Sequence, residues 1–212
     1  IVPIEARQET MPPTEYDSGS IAWVLTSSAL VFLMTPGLAF FYGGMVRAKH
    51  VLAMLMQNFT AIAVAGIAWV LVGFSIAFGE GGPLIGDLSY LGLTDYSTPI
   101  EWTGLPLLVF VCFQATFAII ALALVTGATA DRWKFGAYVA FGALWVVLIY
   151  SVIAHWVWGG GWIAELGALD FAGGTVVHIN AGAAGLAMAI VLGKRRGWGK
   201  DPMRGHNIPF VM

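Results

Sequence analysis

The chain has 212 residues, of which 58% are hydrophobic and 10% are charged, and its mean hydropathy is +0.81. Soluble domains carry about 25% charged residues, so this composition excludes a protein that faces water on all sides. A formal net charge of −2 argues against nucleic acid as a partner, and the single cysteine, Cys112, excludes an intrachain disulfide and a cysteine-based metal site.

Residues 1–17 are polar and acidic, and three of them are prolines. We interpret this segment as the N-terminus of a mature protein and expect it to lie outside the membrane, ahead of a membrane domain at 18–212.

Five intervals that follow contain no Asp, Glu, Lys or Arg, and each is long enough for a helix that crosses a bilayer, which needs about 20 apolar residues. They lie at 18–46, 50–79, 102–130, 135–164 and 171–193. The last four lack the alternation of polar and apolar residues that membrane β-strands show. The sequence therefore predicts an all-α integral membrane protein with five transmembrane helices.

The loops between five spans fall alternately on the two sides of the membrane. Nine of the ten basic residues then share one side, in loops 47–49, 131–134 and 194–207, and only Arg7 lies elsewhere. The positive-inside rule makes that side cytoplasmic and places the N-terminus outside. We therefore expect a multi-pass protein of the cell (inner or plasma) membrane. The acidic residues fall mostly on the outer side, where they either enrich small cations or solvate the loops.

Residues 209–212 resume apolar character after the last basic loop and are interpreted as the start of a sixth span. An odd number of spans would insert a following homologous unit upside down, which is the inverted-repeat design of many transporters. We therefore expect the natural protein to continue.

His178 is the one ionisable residue that lies clearly within a predicted span, and such residues mark functional sites by default because hydrocarbon disfavours them. Ideal helical spacing places it on a face of small residues, along which neighbouring helices can approach closely. That face consists of Gly174, Ala181, Gly182, Gly185 and Ala189. We expect His178 to face the protein interior, either in a helix-to-helix hydrogen bond or as a pore-lining imidazole.

The other histidines have simpler interpretations. His155 lies at the outer end of the fourth span beside Trp156 and Trp158, and we expect it to belong to an interfacial aromatic belt. His50 and His206 lie at cytoplasmic boundaries, where water or lipid headgroups would surround them.

Asp170 precedes the fifth span and is predicted to cap it, accepting hydrogen bonds from the N–H groups two or three residues further on. Electrostatic attraction of a cation is compatible with that role. Phe113 and Phe117 are four residues apart and share a helix face, and aromatic faces such as theirs and that of Trp158 bind cations. Ordinary packing and interfacial belts are the common alternatives for these aromatics.

Four ordered motifs identify a resemblance. They are MTPGLAFFYGGMVR at 34–47, FQATF at 113–117, AHWVWGGG at 154–161 and GALDFAGGTVVHIN at 167–180. Together they resemble the ammonium transporter family (Amt/Mep/Rh, on the Amt side), over about residues 20–212. The resemblance implies the first half of an eleven-helix inverted-repeat bundle, a homotrimer in the lipid bilayer, and a narrow pore in each subunit for ammonium or ammonia.

The resemblance also implies roles for individual residues. Trp158 and Phe113 match the outer vestibule, Phe117 matches one of two gate phenylalanines, His178 matches the first of two pore histidines, and Asp170 matches a buried carboxylate near the recruitment site. A second gate phenylalanine, a second pore histidine and a vestibule serine are expected in the other half. No enzyme activity, cofactor or metal is predicted.

Three interpretations remain open at this stage. The chain belongs to a transporter, to an ammonium sensor with a fused cytoplasmic signalling domain, or to an unrelated membrane bundle or enzyme. The third has no support from motifs, because the sequence shows no Ser/His/Asp set, no metal-ligand spacing and no glycine-rich phosphate loop in the structural context that such a loop requires. A cytoplasmic PII-type regulator is a further partner that the resemblance implies. Loop 194–207 lies on the side required for it, although fixing the topology explains its charges equally well.

Overall fold

Five long helices account for most of the chain in a computed structural model that describes residues 16–94 and 103–212. They are α1 (Ser18–Met45), α2 (Ala48–Phe78), α3 (Leu107–Ala128), α4 (Phe135–Glu165) and α5 (Gly174–Leu192). All five have the length and hydropathy of membrane spans, so the five predicted spans are confirmed. Within α4 a turn at 158–161 separates Ser151–Val157 from the short helix Trp162–Glu165.

The helix ends follow local chemistry. Helix α1 begins directly after Asp17, whose carboxylate accepts hydrogen bonds from the N–H groups of Ser20 at 2.6 Å and Gly19 at 3.3 Å. Hydrogen bonds from Ser20 and Gly19 hold the pKa of Asp17 below its ordinary value. Helix α3 begins directly after Pro106, which has no N–H group to donate. The predicted start of the third span at residue 102 lies outside the described residues.

Helix α3 is the centre of the bundle. It packs against α1, α2 and α5, and most of its side chains are buried. Helix α4 packs on α2 on the other side of the core, so that large buried side chains such as Trp69, Phe74 and Tyr150 lie between the helices. Helices α1 and α5 are the least buried of the five.

Three of the helices contain π-helical segments, which are rare and frequently occur at functional sites. Two of them, Trp69–Gly73 in α2 and Val146–Tyr150 in α4, lie against each other, with the Trp69 and Tyr150 ring centroids 6.0 Å apart. A Cβ atom on Gly73 would lie 2.8 Å from Ser151 Oγ, so a glycine is needed for this close approach. The third segment, Gly174–Ile179, opens α5 and contains His178.

The basic loops converge at one end of the bundle. The side chains of Arg47, Arg132 and Lys194, one from each loop, line a single cavity there. Arg132 also donates to the carbonyls of Ala128 and Gly193, at the C-terminal ends of α3 and α5, where a cation complements the helix dipoles. The prediction that these loops share a side of the bundle is therefore confirmed.

A buried carboxylate organises the same end, and the sequence analysis did not identify it. The Asp131 side chain is 1% exposed and forms a salt bridge to Arg47 Nη2 at 3.2 Å. Arg195 and His50 lie 3.9 and 3.7 Å from its oxygens. His50 is therefore half-buried within a charged cluster rather than surrounded by water as predicted.

The chain ends in a short helix, Ile208–Val211, at the predicted start of a sixth span. Its N-cap is Asn207, whose side chain accepts from the N–H of Phe210. It packs on α1 at Gly44, where a Cβ atom would lie 2.8 Å from Phe210 Cβ. Exposed His206 contacts the carbonyl of Val46 through Nδ1 at 3.0 Å.

Candidate functional site

The start of α5 is capped by Asp170. Its Oδ1 accepts from the N–H of Gly174 at 2.7 Å, and its Oδ2 accepts from Thr175 at 2.9 Å and Val176 at 3.0 Å. Capping is confirmed, but the predicted reach of two or three residues was wrong, because the bonds span four to six. The chain between the carboxylate and the helix includes Gly173, which has a φ of +77° and lets the chain turn before α5 begins.

Trp158 is fixed against the same segment. Its indole N–H donates to the backbone carbonyl of Asp170 at 2.9 Å. Asp170 therefore joins two parts of the site, since its backbone holds the tryptophan of α4 while its carboxylate holds the first turn of α5. Both carboxylate oxygens already accept backbone hydrogen bonds, which makes the structural role of this residue explicit.

The aromatic residues predicted for the vestibule and gate form one continuous row. The Phe113 and Phe117 ring centroids are 4.9 Å apart with the rings edge to face, and the Phe117 and Trp158 centroids are 6.0 Å apart. All three side chains are half-buried. Aromatic faces carry negative quadrupole density and attract cations, so this row is chemically suited to a small cation.

His178 shares a cleft with Phe117, the middle member of that row. It borders a cleft of about 370 Å³ that Phe117 of α3 and Leu38 of α1 also line. On its other side it borders a cleft of about 450 Å³ with Tyr42, Leu124 and Gly185. The structure therefore brings all five predicted site residues together along the junction of α1, α3, α4 and α5.

The predicted orientation of His178 is confirmed only in part. The imidazole points along the clefts towards α1 and α3, but it is exposed in this chain rather than enclosed. Ala181, Gly182, Gly185 and Ala189 line the same cleft, as the helical spacing predicted. Gly174 lies apart from them beside the Asp170 carboxylate, because the π-helical turn between it and His178 changes the register of the face.

Tyr42 is a cleft residue that the sequence analysis missed. Its hydroxyl donates to the carbonyl of Leu124 at 3.2 Å, and Gly127 makes room for its ring, because a Cβ there would lie 2.6 Å from the phenol carbon. A phenol within an apolar span needs a hydrogen-bond partner. A tyrosine within a predicted span was therefore a sign in the sequence that Tyr42 contacts a neighbouring helix.

His155 joins the end of α2 and the loop that follows it to α4, and its predicted place in an interfacial belt was wrong. The side chain is 2% exposed. Its Nδ1 lies 3.1 Å from the carbonyl oxygen of Ala77 and its Nε2 lies 2.8 Å from that of Gly82. The loop after α2 folds back over the end of α4, and Trp156 reinforces the contact by donating to the carbonyl of Leu84 at 2.8 Å.

Gly159 lies inside this contact and gives a direct test of it. A Cβ atom at Gly159 would lie 2.0 Å from the Ala77 oxygen and 2.8 Å from His155 Nδ1. We expect Gly159→Ala to lower the free energy of unfolding by about 2 kcal/mol, since overpacking of this kind forces the backbone to move. Thermal unfolding in detergent measures the effect. Gly136→Ala in the same helix, where nothing lies within 4 Å, should leave the melting temperature unchanged or higher.

Comparison with known proteins relates this site to a family. The profile of the Ammonium Transporter Family matches residues 22–212, which is most of the chain. The chain belongs to the ammonium transporter family. The family is one of transporters, in keeping with the prediction of no enzyme activity. Family membership and the five membrane-length helices of this chain indicate a multi-pass membrane protein.

Individual members of the family show the same relationship. An ammonium transporter of Mycobacterium bovis is 53% identical to this chain, and the match covers 92% of this chain and 47% of that protein. The crystal structure of Candida albicans Mep2 superposes with a TM-score of 0.84 at 35% identity, covering 92% of this chain and 45% of that chain. A structure described as a sensor Amt protein gives a TM-score of 0.82 at 31% identity, covering 90% and 49%. The chain thus spans about half the length of the relatives it matches.

Proposed function

We propose that the protein containing this chain transports ammonium or ammonia across the membrane. Family membership supports the substrate. The observation that carries the proposal is the continuous row from Phe113 through Phe117 and Trp158, which meets the cleft of His178. Phe113 and Trp158 form the recruiting vestibule in this proposal, and Phe117 forms a gate.

The physical logic is one of charge and hydrogen bonding. Ammonium is close to water in size but carries a positive charge and only donates hydrogen bonds, so an aromatic vestibule favours it over water. An apolar passage then disfavours the bare ion by several kcal/mol. Near the gate ammonium transfers one proton to the neutral imidazole of His178, which passes it on separately, and neutral ammonia continues along the passage. The imidazole can also donate a hydrogen bond to ammonia or accept one from it. Asp170 supports this path by fixing Trp158 and the first turn of α5.

The proposal includes an assembly and an orientation. Residues 1–17 lie on the extracellular or periplasmic side, loops 47–49, 131–134 and 194–207 lie in the cytoplasm, and residues 18–212 form the first half of the membrane domain. A second pore histidine, a second gate phenylalanine and a vestibule serine belong to the part that matches the other half of these relatives. A homotrimer and a PII-type regulator at the cytoplasmic face are the partners that we propose.

A sensor is the second candidate function. The observation that favours it is the similarity to a solved sensor Amt protein, at a TM-score of 0.82. In that case the same site binds ammonium and reports its presence to a signalling domain.

Uptake by living cells tests the proposal and separates the two functions. The complete gene product is expressed in cells that lack their own ammonium carriers, and uptake of labelled methylammonium is followed. We expect saturable uptake that ammonium inhibits. A protein that reaches the membrane and binds ammonium without uptake above the empty vector would contradict transport and favour the sensor.

A further inference from the structure

A large basic cavity opens at the end of the bundle opposite the aromatic row. It has a volume of about 650 Å³ and lies where loops 47–49, 131–134 and 194–197 meet. Two carboxylates, Asp131 and Asp201, line it together with six cationic side chains, a formal excess of four positive charges with His50 neutral. The six cations are Arg47, Lys49, Arg132, Lys134, Lys194 and Arg196.

Two of the six cations already have partners. Arg47 is paired with Asp131, and Arg132 donates to the carbonyls of Ala128 and Gly193. The other four are Lys49, Lys134, Lys194 and Arg196. Within residues 16–94 and 103–212, none of these four forms a salt bridge or a side-chain hydrogen bond. Several unneutralised cations thus converge on one concave surface from three separate loops.

The walls of the cavity are amphipathic. Ala53, Met54 and Leu192 contribute apolar surface on the side of the membrane-spanning helices, and Trp133 contributes an aromatic side chain at the boundary. The volume lies within the range of about 300–1,000 Å³ that small-molecule sites occupy. A single small inorganic ion would leave most of this space to water, whereas a phosphate on a short organic group would fill more of it.

We propose that this cavity binds a phosphate-bearing anion of net negative charge, supplied by a lipid headgroup or by a soluble organic phosphate. Lysine ammonium groups bind phosphate as point charges, and the arginine fork at Arg196 matches phosphate oxygens in a bidentate geometry. Basic pockets between helices on the cytoplasmic side of membrane proteins bind anionic lipid headgroups by the same chemistry. The proposal does not depend on ammonium transport, since it involves none of the residues of the aromatic row or the His178 clefts.

Native mass spectrometry of the complete gene product in mild detergent tests the proposal. The probes are phosphatidylglycerol, zwitterionic phosphatidylcholine and soluble glycerol 1-phosphate. We expect phosphatidylglycerol to bind more tightly than phosphatidylcholine, and its binding to weaken with added salt because the contacts are electrostatic. If glycerol 1-phosphate at micromolar concentration displaces phosphatidylglycerol, the bound phosphate comes from a soluble molecule. If it does not, the bound phosphate belongs to the lipid headgroup.

Matched variants locate the site. Lys134→Gln combined with Lys194→Gln removes two unpaired cations on different loops. Each basic residue near an anionic surface contributes about 1 kcal/mol, so we expect the paired variant to bind phosphatidylglycerol about 30-fold more weakly. Lys200→Gln changes the same charge on the last loop but lies outside the cavity lining, and should leave binding unchanged. Equal binding of the two lipids by the wild type, or equal losses in the paired variant and the control, would overturn the proposal. An unchanged melting temperature in phosphatidylcholine shows that the variants are folded.

Discussion

Asp170→Ala is expected to abolish ammonium transport and to lower the free energy of unfolding by about 3 kcal/mol. The substitution leaves three N–H groups at the start of α5 without their acceptor. A hydrogen bond to a charged group contributes a net of about 1.5–3 kcal/mol, and water can replace part of the lost acceptor because Gly174 is exposed. The turn that loses its cap is the one that carries His178. Thermal unfolding and methylammonium uptake on the same preparations measure the two effects.

Two control variants make this test specific. Asp170→Asn keeps one acceptor oxygen and should fall between wild type and alanine in both measurements. Asp17→Ala removes a helix cap of the same chemistry from α1, far along the chain from the site, and should leave uptake at the wild-type level. If Asp17→Ala and Asp170→Ala reduced uptake equally, the loss would follow from removing any helix cap, and the proposed role of the α5 cap in transport would be contradicted.

His178→Ala is expected to reduce ammonium transport at least about tenfold, or to remove its selectivity for ammonium. The factor corresponds to one lost hydrogen bond of about 1.4 kcal/mol in the passage. Without the imidazole, the described residues that line this cleft offer a passing ammonia molecule only the weak thioether acceptor of Met34. Initial rates of uptake at several ammonium concentrations measure the effect.

The control for this variant is another histidine. His206→Ala removes an imidazole that contacts the Val46 carbonyl near the basic end, away from the clefts. We expect its uptake to match that of the wild type. A reduction as large as that of His178→Ala would mean that the loss reflects a general effect of removing a histidine.

The membrane spans were predictable because one physical rule determines them. A charged side chain in hydrocarbon is disfavoured strongly enough that intervals free of charge mark the helices, and the observed bounds of α1 and α4 differ from the predicted ones by a single residue. The start of α5 was less predictable. The carboxylate of Asp170 accepts from N–H groups four to six residues further on, because the turn at Gly173 comes between it and the first turn of the helix. A cap at that distance has no local sequence pattern.

The candidate site was predictable in its members but not in its geometry. Helical spacing related His178 to Gly185, yet it could not show the π-helical turn that separates Gly174 from that face. His155 and Asp131 were misjudged or missed for a common reason. Their partners are carbonyls and cations from loops that are distant in the sequence, and only the folded arrangement of those loops brings them together.

Flux into proteoliposomes tests the central claim most directly. The complete gene product and its His178→Ala variant are reconstituted into liposomes at equal density, and an ammonium gradient or an equal potassium gradient is imposed while current and internal pH are recorded. We expect a saturable response to ammonium and none to potassium in the wild type, with the ammonium response lost or unselective in the variant. A wild-type response no greater than that of protein-free liposomes, or an identical selective response from His178→Ala, would contradict it.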